Sequence, residues 1–257
     1  MSLELAILLA ALGLLAAFLS GLLGIGGALM LIPLLLYVPE TLGLGTFDAK
    51  TAAAIGVSQV AIATASGTFA NFKRGLVYKR LAAVVVGAMM FGAFASGWAS
   101  QFISAYALLI LLAVLASFGA VTMLLPVARL EQGPAQPQFN PLVALFCGLG
   151  IGSVIGLAGG GSFLLVPSQV YVLRIPTRTA MATGLAAVLP TAASALVGKA
   201  LGGQVPLLPA VLVSLLAIPG AQLGSAASVR LPARTLRRIY AGVVLSVAGA
   251  LWYDVLN

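Results

Sequence analysis

Two glycine clusters hold the residues best suited to binding chemistry. Gly24-Ile25-Gly26-Gly27-Ala28-Leu29-Met30-Leu31-Ile32-Pro33 and Ala158-Gly159-Gly160-Gly161-Ser162-Phe163-Leu164-Leu165-Val166-Pro167 each interrupt a long apolar run and each end in proline. A helix that breaks in hydrocarbon presents unpaired N–H groups at the positive end of its dipole. Such an end is tolerated where it is buried in protein or lines a cavity, and it suits an anion. Gly26, Gly27, Gly160 and Gly161 would let the backbone come close to that anion, and Ser162 adds a hydroxyl. The competing role is close helix packing by small residues, common in membranes. Recurrence at matched positions favours the site.

Lys50 and Arg178 are the next candidates, as one cation at the start of the span after each glycine cluster. They would attract an anion toward the breaks, although interfacial snorkelling accounts for them equally well. Within the spans lie Ser58, Gln59, Thr64, Ser66 and Thr68, and then Thr183, Thr191, Ser194 and Gln222. Gln59 and Gln222 stand out, because an amide in lipid is costly and should face protein or a cavity. Most of the hydroxyls are expected to bond to their own helices. Gln169, just past Pro167, is a weaker candidate.

The missing residue types narrow the chemistry. Histidine is absent, and Glu4, Glu40, Asp48, Glu131 and Asp254 all lie near segment ends or loops. A proton relay through carboxylates or imidazoles is therefore unsupported. The single Cys147, read as packing, leaves no metal-ligand cluster and no nucleophile–base pair, and no phosphate loop is present. No enzyme activity, cofactor or metal is expected.

These residues are carried by a chain of 257 residues that is 61% hydrophobic and 7% charged. Soluble domains carry about 25% charged residues, so the composition excludes one. It also excludes a disordered chain. Long unbroken apolar runs, rather than short alternating strands, point to helices spanning a bilayer. The excess of 13 basic over 5 acidic residues is read as loop charge that sets topology, not as a nucleic-acid surface. Met1-Ser2-Leu3-Glu4 has no basic n-region, so the first apolar stretch is expected to remain in the mature protein.

The chain repeats itself. Gly24 to Pro33 falls on Ala158 to Pro167, and Lys50-Thr51-Ala52-Ala53-Ala54-Ile55-Gly56 falls on Arg178-Thr179-Ala180-Met181-Ala182-Thr183-Gly184. The first repeat is expected at 1–125 and the second at 142–257, joined by a Pro-rich linker at 126–141. Clear spans are 51–70, 81–99 and 106–125, then 179–197, 206–228 and 239–256. The long runs 3–38 and 142–173 would each make a helix of about 50 Å, well beyond a hydrocarbon core of about 30 Å.

The basic residues choose between crossing once and folding back. If both long runs cross once, the thirteen divide six against seven, with no bias. If the second folds back, Lys73, Arg74, Lys79, Arg80, Arg129, Arg174, Arg178, Arg230, Arg234, Arg237 and Arg238 share one side, leaving Lys50 and Lys199 on the other. That division satisfies the positive-inside rule. Symmetry extends the fold-back to the first run. The expected fold is an all-α polytopic membrane protein of two inverted repeats. Each repeat is a Gly-broken, re-entrant helical hairpin plus three transmembrane helices, eight apolar segments in total. Both termini would be non-cytoplasmic.

The duplicated GIGGALMLIP and AGGGSFLLVP resemble the sulfite exporter TauE/SafE family of membrane permeases. Ala54-Ile55-Gly56-Val57-Ser58 and its weaker copy Ala182-Thr183-Gly184-Leu185-Ala186 extend the resemblance over nearly the whole chain. The family motif has Thr where this chain has Val57, so Ser58 carries any hydroxyl role there. The resemblance implies a multi-pass permease of the bacterial inner membrane that exports sulfite, organosulfonates or related small anions. Inverted repeats with broken helices place such a site near the midplane. The expected partners are a small anion and the lipid bilayer, without nucleic acid, and a homo-oligomer is left open. An anion channel with the same site and a non-transporting membrane assembly protein are the alternatives.

Overall fold

The computed structural model describes residues 1–23, 28–72, 79–124, 140–165, 168–173, 177–228 and 233–256. Among these, all regular structure is helical and no strand occurs. Nine α-helices follow in chain order: α1 (Leu3–Leu23), α2 (Ala28–Thr41), α3 (Ala49–Phe72), α4 (Lys79–Ala99), α5 (Ala105–Leu124), α6 (Pro141–Ala158), α7 (Thr177–Leu201), α8 (Leu207–Ser228) and α9 (Ala233–Leu256). A 3-10 turn at Ser100–Phe102 extends α4. After α6 come a 3-10 turn at Ser162–Leu164 and a π turn at Ser168–Val172.

Several helix starts follow from local side chains. Asp48 Oδ1 accepts from Thr51 N at 3.1 Å before α3, and Ser104 Oγ accepts from Ala107 N at 3.1 Å before α5. Asn140 Oδ1 accepts from Leu142 N at 3.0 Å before α6, with Pro141 in the first turn. Each cap satisfies an N–H that the helix cannot pair internally, and losing one costs about 1 kcal/mol. Proline suits the first turn because its missing N–H would be an orphan there anyway.

Among the described residues four helices, α1, α4, α6 and α8, are long and apolar enough to cross a membrane. Only 33–39% of each such span is buried inside the molecule. The rest, including Phe91, Phe146 and Leu223, faces outward. Helices apolar on every side with so little internal burial need lipid around them. The chain is a multi-pass membrane protein.

These four helices form two close pairs, α1 with α8 and α4 with α6. Gly13 lies on Val213 and Gly21 on Ala221, while Gly220 lies on Leu14 and Gly224 on Phe18. Residue numbers rise together, so α1 and α8 run in the same direction. In the second pair Gly148 lies on Val85, Gly152 on Met89 and Gly156 on Ala93, again parallel. Lipid gives helices no hydrophobic reason to associate, so small residues that let backbones touch carry the packing.

Between the pairs, α3 packs on α7 and α8, and α7 packs on α4. On the flank α5 packs on α9, where Tyr106 Oη donates to Val255 O at 3.0 Å. One core joins Leu9, Leu31, Leu35, Ile55 and Leu112, and a second joins Val57, Met89, Ile155, Leu165 and Leu173. Helix α3 contributes to both.

Candidate functional site

The second glycine cluster forms a built helix break. Helix α6 stops at Ala158 because Gly159 adopts left-handed backbone, with φ +73°, and its N–H closes on Ile155 O at 2.9 Å. A side chain at this C-cap would be strained. Gly159 sits against the Ala53 carbonyl of α3, and Gly160 sits against Ala28 and the backbone nitrogen of Leu29. Further along α3, Gly56 lies against Ala28 and Ile32. Helix α3 therefore runs past the second break at Ala53 and past the start of α2 at Gly56.

The start of α2 is polar in its backbone though apolar in its side chains. Its first-turn N–H groups have no acceptor within the helix. Pro33 has no N–H to give the Leu29 carbonyl. Of the first cluster, Gly26 and Gly27 lie outside the described residues.

Two amides are buried close to this junction's elements. Gln59 on α3 is 1% exposed; its Nε2 donates to Gly13 O at 3.1 Å, and its Oε1 has no partner among the described residues. Gln169 on the π turn is also 1% exposed, and neither amide atom has a partner there. Leu165 and Leu173, four residues to either side, are buried in the core cluster that contains Val57. Ser214 Oγ is likewise buried and unpartnered, one residue beyond the Val213 that packs on Gly13. Each such orphan costs about 1–3 kcal/mol, and a water or a ligand group is the usual remedy.

The other expected positions divide. Ser58 is buried but donates to Ile55 O at 2.7 Å, and Thr191 donates to Ala187 O at 2.7 Å, so both hydroxyls serve their own helices. Gly161, with φ +155°, precedes the 3-10 turn that half-buried Ser162 opens. The side chains of Thr183 and Arg178 lie outside the described residues. Gln222 corrects the expectation that its amide faces protein or a cavity: it is exposed on α8. The buried positions of α8 are Ala210, Val213, Ser214, Ala217, Gly220 and Gly224, and Gln222 falls about 200° around the helix from Gly220.

Lys50 lies at another level. Its Nζ donates to Gln101 O at 2.8 Å, beside a cleft of about 320 Å³ lined by Asp48, Lys50, Thr51, Gly203, Gln204, Val205 and Pro206. Lys199, which the sequence presented as a loop charge, is fully buried at the end of α7. Its Nζ donates to Ser100 Oγ at 3.1 Å and to Leu157 O at 3.3 Å. Ser100 Oγ also meets Gln204 Oε1 at 2.9 Å. A lysine in Ala195-Leu196-Val197-Gly198-Lys199-Ala200-Leu201, with no acid nearby, was the signal available in the sequence for it.

The family profile described as "Sulfite exporter TauE/SafE" matches residues 9–251. The chain is 30% identical over 183 residues to a "Probable membrane transporter protein" of Xylella fastidiosa strain Temecula1, covering 68% of this chain and 66% of that one. A protein of the same description from strain 9a5c is 30% identical over 179 residues, with the same coverages. The chain thus spans just under two thirds of the length of these curated relatives. No solved structure matches it.

Proposed function

From a chain that belongs to the sulfite exporter TauE/SafE family and is a membrane transporter of that family, we propose a secondary carrier that exports small anions such as sulfite and organosulfonates. The substrate sits near the midplane between the two glycine breaks, in the bacterial inner membrane. The observation that carries this reading is the contact of Gly160 with Ala28 and Leu29. It joins the second break to the helix start that follows the first. First-turn N–H groups of α2 and the flexible turn at Gly159–Gly161 then bind the anion together. Gln59, with an unpaired Oε1 whose amide can reorient, supplies a further polar contact, and Gln169 supplies another.

The inverted-repeat reading is supported by helix directions. Helix α8 begins just beyond α7, at the end where Lys199 and Lys50 lie, and α1 runs parallel to α8. Helix α3 begins at that same end, with Lys50 in its first turn. The chain from Leu3 to Ala49 then leaves one end and returns to it, as a re-entrant hairpin does. Helices α4 and α7 both end at Ser100 and Lys199, and α6 runs parallel to α4. The chain from Pro141 to Thr177 therefore starts and finishes at the opposite end. Exchanging repeats 1–125 and 142–257 about the 126–141 linker turns the α1–α8 pair into the α6–α4 pair. In this arrangement Lys50 and Lys199 lie toward the outer end, and the other eleven basic residues belong to the cytoplasmic side.

An interior-negative potential favours anion exit by about 2.3 kcal/mol per charge per 100 mV. Export therefore requires no proton relay, in keeping with the absence of histidine and of mid-span acids. The test is counterflow of radiolabelled sulfite, taurine and sulfoacetate in proteoliposomes. Saturable counterflow supports the carrier. Conductance far above carrier turnover would instead identify an anion channel. If no anion moves and Gly160→Val alters only assembly, the protein is a structural one.

A further inference from the structure

We propose that Lys199, together with Lys50, forms a second anion subsite between the outer cleft and the second glycine break. The subsite takes a compact oxyanion of the sulfite or sulfate type. It rests on reading the chain as an anion carrier, but that reading does not require it.

The argument begins with the cost of a buried ammonium. Lys199 is 0% exposed, and the two acceptors its Nζ meets, Ser100 Oγ and Leu157 O, are both neutral. An ammonium has three N–H bonds to place, so these two leave one unused among the described residues. The neighbouring charge that acts on it is another cation, Lys50. Asp48 lines the cleft near Lys50, but among the described residues its carboxylate makes no ion pair with either lysine and caps α3 through Thr51 N. Burying a cation with no counter-charge among the described residues, next to a second cation, is among the least favourable arrangements a protein can hold. The carbonyl end of α6 offsets part of this through its dipole. A bound anion would supply the rest.

Position gives the charge a purpose. Gln204 lines the cleft and bonds to Ser100, and Ser100 bonds to Lys199. Lys199 then bonds to Leu157, two residues before the left-handed Gly159. The ammonium thus stands one hydroxyl behind the cleft and one turn from the break. An anion passing from the break to the outer face would exchange helix-end N–H groups for Lys199, and Lys199 for Lys50 and Gln204. Placed in sequence, such weak subsites let an anion leave a site that has to bind it.

The experiment uses the full chain in two assays. In detergent, thermal melting is compared in sodium sulfite and in sodium gluconate at matched ionic strength. In proteoliposomes, sulfite counterflow gives half-saturation and maximal rate. Lys199→Gln is expected to abolish the sulfite-specific stabilisation and to raise half-saturation about tenfold, the worth of one charged hydrogen bond, with maximal rate within about threefold. Lys199 is only a helix-end cap if Lys199→Gln melts lower in both salts yet keeps the wild-type sulfite shift and half-saturation; that result overturns the subsite. Should this variant fail to fold, Lys50→Gln, at a half-buried position, decides. A raised half-saturation supports the pair and an unchanged one removes it. Wild type that moves no anion but shows a Lys199-dependent sulfite shift would sink the carrier while leaving the subsite. Normal transport in both variants would do the reverse.

Discussion

Gly160, in the break of the second apolar run, lies against the backbone nitrogen of Leu29, the second residue of α2. The two residues are far apart in sequence. Their contact sets the second break against the start of α2, with α3 passing alongside at Ala53 and Gly56. Gly159 and Gly160, adjacent in that break, are expected to tolerate substitution differently.

Gly159→Ala would place a methyl group on the Ala53 carbonyl while holding left-handed backbone, which alone costs roughly 1–2 kcal/mol. It is expected to lower the melting temperature by several degrees and to abolish counterflow. Gly160→Ala has no such backbone demand; its methyl would stand 3.1 Å from Leu29 N, a distance that a small shift relieves. That variant should melt near wild type and still transport poorly, because the added methyl occupies the contact between the breaks. Melting curves and counterflow on both variants separate them, and equal loss of stability would contradict the geometry.

Gln169→Leu removes a buried amide that has no partner among the described residues. Replacing an unsatisfied polar group by an apolar one of similar size is neutral or stabilising, here by about 1 kcal/mol. Transport should nevertheless fall more than about tenfold, if the amide meets substrate as a charged-group hydrogen bond would require. Gln59→Leu also frees the protein of an orphan oxygen but breaks the bond to Gly13 O, so its stability change should be near zero. Full transport by Gln169→Leu would remove that amide from the site.

The parallel pairs should respond alike. Gly156→Ala drives a methyl into Ala93 and Ser96, and Gly224→Ala drives one into Phe18 and Leu22. Each is expected to destabilise by about 1–3 kcal/mol, the usual cost of overpacking. Gly150, with open space around its Cβ position, is the contrast: Gly150→Ala should stabilise α6 by about 0.5–1 kcal/mol. Denaturation in mild detergent, followed by circular dichroism, measures all three.

Topology is accessible to labelling. With Cys147 replaced by serine, a cysteine at exposed Thr46 is expected to react with an impermeant reagent added to intact cells. A cysteine at Arg234, at the start of α9, should react only after the cells are opened. Labelling of Arg234→Cys from outside would overturn the inverted arrangement.

Much of the framework was legible in the residues themselves. Asp48, Ser104 and Asn140 stand at helix starts and cap them by hydrogen bonds to backbone N–H groups two or three residues on, which need no distant partner. Gly159 ends α6 because a left-handed cap needs a residue without Cβ, a local requirement visible in the Gly159-Gly160-Gly161 run. The proline that closes each cluster likewise removes an N–H whatever its surroundings.

The polar residues were harder to judge, because these helices are apolar all round and lack a polar stripe to fix their rotation. Gln59 and Gln222 look equivalent in sequence, each a lone amide in a span. One is buried with an unpaired oxygen and the other is exposed on α8. Lys199 read as a loop charge because it falls between the expected spans 179–197 and 206–228. Its side chain turns inward to Ser100, at the end of α4, and to Leu157, at the end of α6, and that burial depends on residues far away in sequence. Composition, helix breaks and duplication thus came from the sequence, since each follows from a residue's own chemistry or its spacing along the chain. Which face of each helix is buried, and which cation loses its water, came from tertiary structure alone, since both depend on the neighbours that folding supplies.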